Sequence, residues 1–180
     1  MALLRCRTHL SVALALAFAM PAAPAQAVNE YEVKAAFLFN FTRFVDWPPS
    51  SGSGRFCIGV AGAEPFGGAL EEAVKGRFAG GHAITVKHFK PGEESTVCEI
   101  VFISGMDARK MHAVLGRLQH GAVLTVGEGA AFCRRGGVIA FEVEDRKVKL
   151  EINPDAAQRA HLQISSKLLS LATLVRDTGE

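Results

Sequence analysis

Residues Cys98–Gly105 read CEIVFISG, and this stretch decides the fold. After Glu99 the chain runs Ile100, Val101, Phe102, Ile103 without a polar break, then stops at Ser104-Gly105. A strand with one face in water alternates apolar and polar residues. An unbroken apolar run of this length fits a strand covered on both faces, as in a parallel sheet between helices.

The neighbouring segments agree. Phe56–Gly62 (FCIGVAG) is a second short apolar run ending in glycine, Ala83–Phe89 (AITVKHF) alternates, and Gly121–Gly127 (GAVLTVG) is a fourth candidate strand. Between them, Pro65–Gly76 (PFGGALEEAVKG) is predicted as a helix that Pro65 opens and Gly76 closes, and Asp107 caps a helix through Leu118. Strand, helix and strand in turn predict an α/β fold with a mostly parallel central sheet flanked by helices. Beyond Gly129 the pattern changes. Two strands, GGVIAFEV and RKVKLEIN, flank a polar EDR turn and predict a C-terminal β-hairpin; Asn153-Pro154 starts a helix, and LQIS alternates briefly. Ser165 or Ser166 then caps a last helix, with Leu168, Leu171, Leu174 and Val175 expected to face inward.

On the amino-terminal side, AAFLFNFTRFVDWPPS (Ala35–Ser50) concentrates four phenylalanines and the single tryptophan. Tyr31–Trp47 reads as a helix with Val33, Phe37, Phe41 and Phe44 on one face, widened by Leu38 and Val45, and with Pro48 and Pro49 as its stop. Most of these rings read as core. Phe39 falls among the polar positions, and with Trp47 it is a candidate anchor for a partner. Ser50–Gly54 (SSGSG) reads as a flexible loop and PGEES, from Pro91, as a turn.

The first 27 residues read as a cleaved signal peptide: Arg5 and Arg7, a short apolar run, then Ala25-Gln26-Ala27 as the cleavage signal. Cleavage after Ala27 leaves residues 28–180 as one expected domain, exported to the periplasm. It also removes two arginines, which leaves 18 basic against 18 acidic side chains. No basic stripe exists, so nothing points to nucleic acid.

Three cysteines remain in the mature chain: Cys57, Cys98 and Cys133. In a doubly wound sheet of order 2-1-3, Cys57 and Cys98 open neighbouring strands at the same end, within the reach of a disulfide. Cys133 lies in FCRRGG, where Arg134 and Arg135 would favour a reactive thiolate if the sulfur is exposed. The alternative is a half-buried cysteine with no role. His82, His88, His112, His120 and His161 show no metal-ligand spacing, so no metal or other cofactor is expected. There is no G-x-S-x-G elbow, and Ser104, although at a strand end, has no evident base. Gly62–Gly68 (GAEPFGG) lacks the signatures of phosphate and dinucleotide loops and reads as a plain turn.

Taken together, VKAAFLFNFTRFVDWP, CIGVAGAEPFG, CEIVFIS, VLTVGEGAAF, GGVIAFEV and EINPDAAQRAHLQISSKLLSLA resemble the YfiR family of periplasmic proteins, in order over nearly the whole mature chain. The resemblance implies a regulator, not an enzyme. Such proteins hold a membrane-anchored diguanylate cyclase inactive by binding its periplasmic sensor region, and an outer-membrane, peptidoglycan-binding lipoprotein can draw them away. It also implies biofilm control through cyclic di-GMP and a homodimer. Cys57 and Cys98 match one family disulfide. Cys133 matches one half of a second, whose other half is replaced here, at Ala140. Partner contacts are expected first at Ile139, Phe141 and Glu151, then at Phe39. A small-ligand sensor using the crevice near Gly62 and Ser104 is the competing expectation.

Overall fold

A computed structural model describes residues 29–49, 55–90, 93 and 98–176. The expected signal peptide, the SSGSG loop and most of the PGEES turn lie outside the described residues.

Asn29 accepts a hydrogen bond from the Tyr31 N–H and starts α1 (Glu30–Phe41). Next come β1 (Val45–Asp46), β2 (Phe56–Gly62), α2 (Ala69–Val74), β3 (Phe78–Ala79), β4 (His82–Phe89), β5 (Ile100–Ser104) and α3 (Ala108–Leu118). They are followed by β6 (Leu124–Glu128), α4 (Ala131–Arg134), β7 (Ile139–Glu144), β8 (Lys147–Ile152), α5 (Pro154–Arg159), β9 (Gln163–Ile164), α6 (Ser166–Leu169) and β10 (Thr173–Leu174). Eight strands form one sheet in the order β10-β8-β7-β6-β5-β2-β4-β3, and β1 pairs with β9 in a second.

The centre of the large sheet, β4-β2-β5-β6-β7, is parallel throughout. The expected 2-1-3 order is therefore present as β4-β2-β5. Every residue of β5 is buried, as its unbroken apolar run requires. One face is closed by α1 and α2 over Ile58, Ile100, Phe102, Leu124, Phe141 and their neighbours; the other is closed by α3 and α4 over Val101, Ile103 and Ala140. Phe132 of α4 fits because Gly127 and Gly137 flank its ring. A Cβ on either would lie 2.3 or 2.1 Å from a ring carbon.

Three boundaries differ from expectation. Helix α1 ends at Phe41, not Trp47: the Thr42 hydroxyl donates to the Phe39 carbonyl at 2.7 Å, and Val45-Asp46 leave the helix to pair with Ile164 and Gln163. Its fully buried stripe is Lys34, Ala35, Leu38 and Phe41, so Val33, Phe37 and Phe44 are only half-buried. Helix α2 begins at Ala69 behind Gly68, whose φ of 93° is a left-handed conformation that glycine adopts freely, and Pro65 stays in the loop. The last helix stops at Leu169, and Thr173-Leu174 become a strand parallel to β8. Leu171 and Leu174 are thus 72% and 55% exposed instead of inward.

The hairpin formed as expected. Asp145 and Arg146 both have positive φ, 51° and 60°, the backbone of a type I′ turn whose twist suits the flanking strands. Asn153 accepts from the Ala156 N–H at 3.0 Å and caps α5.

Candidate functional site

Cys57 is the second residue of β2, next to the buried Phe56, and Cys98 lies two positions before β5. They are joined as a disulfide, with Cα atoms 4.5 Å apart. Glu99, between Cys98 and β5, binds this corner together. Its carboxylate accepts the Cys57 N–H at 2.6 Å, its own N–H donates to the Cys57 carbonyl at 3.1 Å, and its carbonyl accepts Trp47 Nε1–H at 3.1 Å. The Trp47 ring meets Phe56 edge-on at 5.2 Å. Trp47 is therefore half-buried and attached to the disulfide corner. No sequence signal marks Glu99 for this role; its position beside a cysteine becomes informative only once the strands are paired.

Cys133 is completely buried in α4. Burial, reinforced by the negative charge of Glu151, pushes its thiol up to about 12, although the Ala140 and Asn153 backbones oppose that shift. The condition for a reactive thiolate, exposure, is not met. Its sulfur instead approaches the Val138 and Glu151 carbonyls at 3.7 and 3.5 Å. Ala140 lies in the same buried cluster.

The hairpin presents two unlike faces. Ile139 and Phe141 are 0% and 1% exposed, and Phe141 packs against Phe41 at 6.1 Å, Phe37 at 5.9 Å and Phe102 at 6.2 Å. These two side chains, expected at a partner contact, lie beneath α1 in the folded chain: an apolar residue on the α1 side of β7 is enclosed core. On the opposite face, Ala140 pairs with Glu151 and Glu142 with Lys149. Glu142 and Glu151 are half-buried there, and Glu142 Oε1 and Glu151 Oε2 are both buried without a hydrogen-bond partner among the described residues. Burial raises the Glu142 pKa and Glu151 adds to the effect, while Arg134 and Lys34 oppose it. The alternation of GGVIAFEVE already placed Glu142 on this outer face, yet sequence reasoning passed over it.

Phe39 is half-buried against the core, with the Arg77 guanidinium 5.3 Å from its ring centre. Lys34, also overlooked, is buried with its ammonium hydrogen-bonded to Glu30 and Glu128 and 4.6 Å from the Tyr31 ring centre. It ties α1 to the end of β6. A lysine inside an otherwise apolar helical stripe was the available signal.

At the carboxyl ends of β2 and β5, where the competing expectation placed a ligand crevice, the two following loops meet. Ala63 N–H donates to the Ser104 carbonyl at 3.0 Å, and Ser104 is 7% exposed. A Cβ on Gly62 would lie 2.2 Å from that carbonyl and 3.0 Å from the end of Met106; one on Gly105 would lie 2.5 Å from Ala63 Cβ. The two loops are in direct contact at these positions. Among the described residues, no group of three His, Cys, Asp or Glu is arranged to hold a metal, and no helix is long and apolar enough to cross a membrane.

The fold is shared with a conserved domain protein from Vibrio cholerae O1 biovar eltor. The TM-score is 0.58 at 12% identity, over 81% of this chain and 60% of that one. The chain thus matches less than two thirds of that protein's length, and the likeness concerns the fold alone. The family model described as YfiR/HmsC-like matches residues 31–173, from the first turn of α1 to the start of β10. That span takes in the aromatic helix, the whole parallel sheet and the hairpin, so the chain belongs to the YfiR/HmsC-like family.

Proposed function

We propose that this chain is a non-catalytic periplasmic regulator. It binds the periplasmic sensor region of a membrane-anchored diguanylate cyclase and holds it inactive, which lowers cyclic di-GMP. Family membership over residues 31–173 is the observation that carries this reading. The Cys57–Cys98 bridge accords with an oxidising compartment reached after cleavage behind Ala27. Regulation requires only tighter binding to the partner's inactive state than to its active one. A peptidoglycan-binding lipoprotein competing for the regulator relieves inhibition by mass action.

The outer face of the hairpin suits such contact. Glu142 and Glu151 are half-buried on that face and give it a negative charge that a basic residue of a partner would match. Phe39, with Arg77 on its ring, is a second margin of the surface. Deleting the gene tests the reading: cyclic di-GMP and surface attachment both rise. Unchanged levels over several growth conditions remove it.

A further inference from the structure

Strand β4 is paired with β2 from Ile84 to Phe89, but with β3 only at His82 and Ala83. The Ile84 N–H points to the outer side, where it donates to the Arg77 carbonyl at 3.1 Å. By the two-residue repeat of a strand, the backbone N–H and C=O of Val86 and His88 point the same way. Among the described residues nothing pairs with them. Such an edge is a template for one more strand.

Alongside this edge runs a groove of about 420 Å³ between β4 and α2, lined by Glu71, Glu72, Val74, Lys75, Ile84 and Val86. Val74 and Ile84 are its buried floor, with Val86 half-buried beyond them. His88 closes one end, held between Glu64 at 3.0 Å and Glu71 at 2.8 Å. The rim thus places three carboxylates, Glu64, Glu71 and Glu72, against the Lys75 ammonium and one imidazole. Open backbone groups call for an extended chain. Apolar residues at alternate positions call for apolar side chains at every second position of that chain, and the excess of carboxylates calls for a cation.

We propose that the groove between α2 and β4 binds an extended segment of a partner protein by strand addition to β4. Alternate apolar side chains of that segment lie over Val74, Ile84 and Val86, and a basic residue meets Glu71 and Glu72. Main-chain bonds supply affinity, and the groove and rim supply specificity. The inference rests on the regulator reading for the existence of a protein partner, but not for its geometry.

The test uses fluorescence anisotropy with two labelled nonapeptides of alternating valine and threonine, one ending in arginines and one in glutamates. The arginine peptide binds saturably, and the glutamate peptide binds about tenfold more weakly or worse. Val86→Pro deletes an outward N–H while leaving the β2 ladder intact, and it weakens the arginine peptide by about tenfold. The double variant Glu71→Lys/Glu72→Lys reverses the preference between the peptides. Should Val86→Pro unfold the chain, hydrogen exchange on the unaltered protein replaces it: the Val86 and His88 amides slow when the arginine peptide is added. Absence of saturable binding up to about 1 mM, equal affinity for the two peptides, or unslowed amides overturns the proposal. Self-association abolished by Val86→Pro also overturns it, since a second copy would then own the edge. Peptide binding without a cyclic di-GMP change in the deletion strain removes the regulator reading alone, and the converse removes the groove alone.

Discussion

Reducing the Cys57–Cys98 bridge is the perturbation whose size follows most directly from the structure. The cysteines are 41 residues apart, and the chain between them includes α2, β3 and β4. Releasing that loop restores conformational entropy to the unfolded chain. The chain-entropy relation gives about 4 kcal/mol at 25 °C. Both cysteines are buried, at 4% and 1% exposure, and reduction removes no atoms from the core, so cavity formation does not enlarge the figure. A domain of this kind has roughly 5–15 kcal/mol of total stability, so the loss is a large share of it. The assay is urea unfolding with and without a thiol reductant, followed by the fluorescence of Trp47, the only tryptophan. Trp47 is bonded to Glu99 beside the bridge, so its emission reports this corner directly. The midpoint falls, and the slope rises because the reduced unfolded chain exposes more surface. A loss below about 1 kcal/mol at unchanged slope would refute the reasoning, because the loop would then be equally restricted with and without the bond.

Other consequences are as direct. Cys133, buried and with its thiol pushed up to about 12, resists iodoacetamide in the native protein and reacts once urea unfolds it; rapid native labelling, read by mass spectrometry, contradicts the burial. Glu142 has a folded pKa above its ordinary value, so its contribution favours folding below the unfolded pKa and is lost as pH rises through the folded one. Glu142→Gln therefore raises the melting temperature at pH 7 and has little effect near pH 3; an equal gain at both values removes the electrostatic cause. For Lys34, burial lowers the pKa, but the hydrogen bonds to Glu128 and Glu30 outweigh it and the net shift is upward. Lys34→Met leaves two carboxylates without their shared cation and costs about 1–3 kcal/mol in urea unfolding at pH 7; a neutral result shows that the ammonium is not coupled to folding.

The sheet was legible because its strands carry the signal in consecutive residues. Ile100–Ile103 is apolar without interruption, and its burial on both faces follows. The caps Asp107 and Asn153 were legible because a side-chain oxygen three residues before a free N–H is local information. What escaped depends on distant partners. Val45 and Asp46 continue a helical pattern by themselves and become extended only because Ile164 and Gln163 lie beside them. Leu171 and Leu174 keep a helical spacing too, but Thr173-Leu174 exchange that helix for two positions along β8. In the site, position along the strand was readable while enclosure was not. Ile139 and Phe141 do fall on a common face, and only α1 settles that this face is interior.

If the hairpin is the partner surface of the regulator proposed above, that enclosure constrains how it can act. A partner reaching the β7–β8 sheet from outside meets Glu142, Glu151 and Lys149, not Phe141. Phe141 sits within 6.2 Å of the Phe37, Phe41 and Phe102 ring centres, so any change of its volume is transmitted to α1 and β5 at once. Effects of Phe141 on regulation must therefore act by shifting α1 or the hairpin, and they carry a stability cost. On the same reading, effects of Glu142 act by direct contact and, through its raised pKa, accompany a stability gain when the charge is removed. The two mechanisms predict opposite signs in a melting curve for the same loss of inhibition. A buried aromatic and a half-buried acid, one residue apart on one strand, are thereby separable by thermodynamics alone.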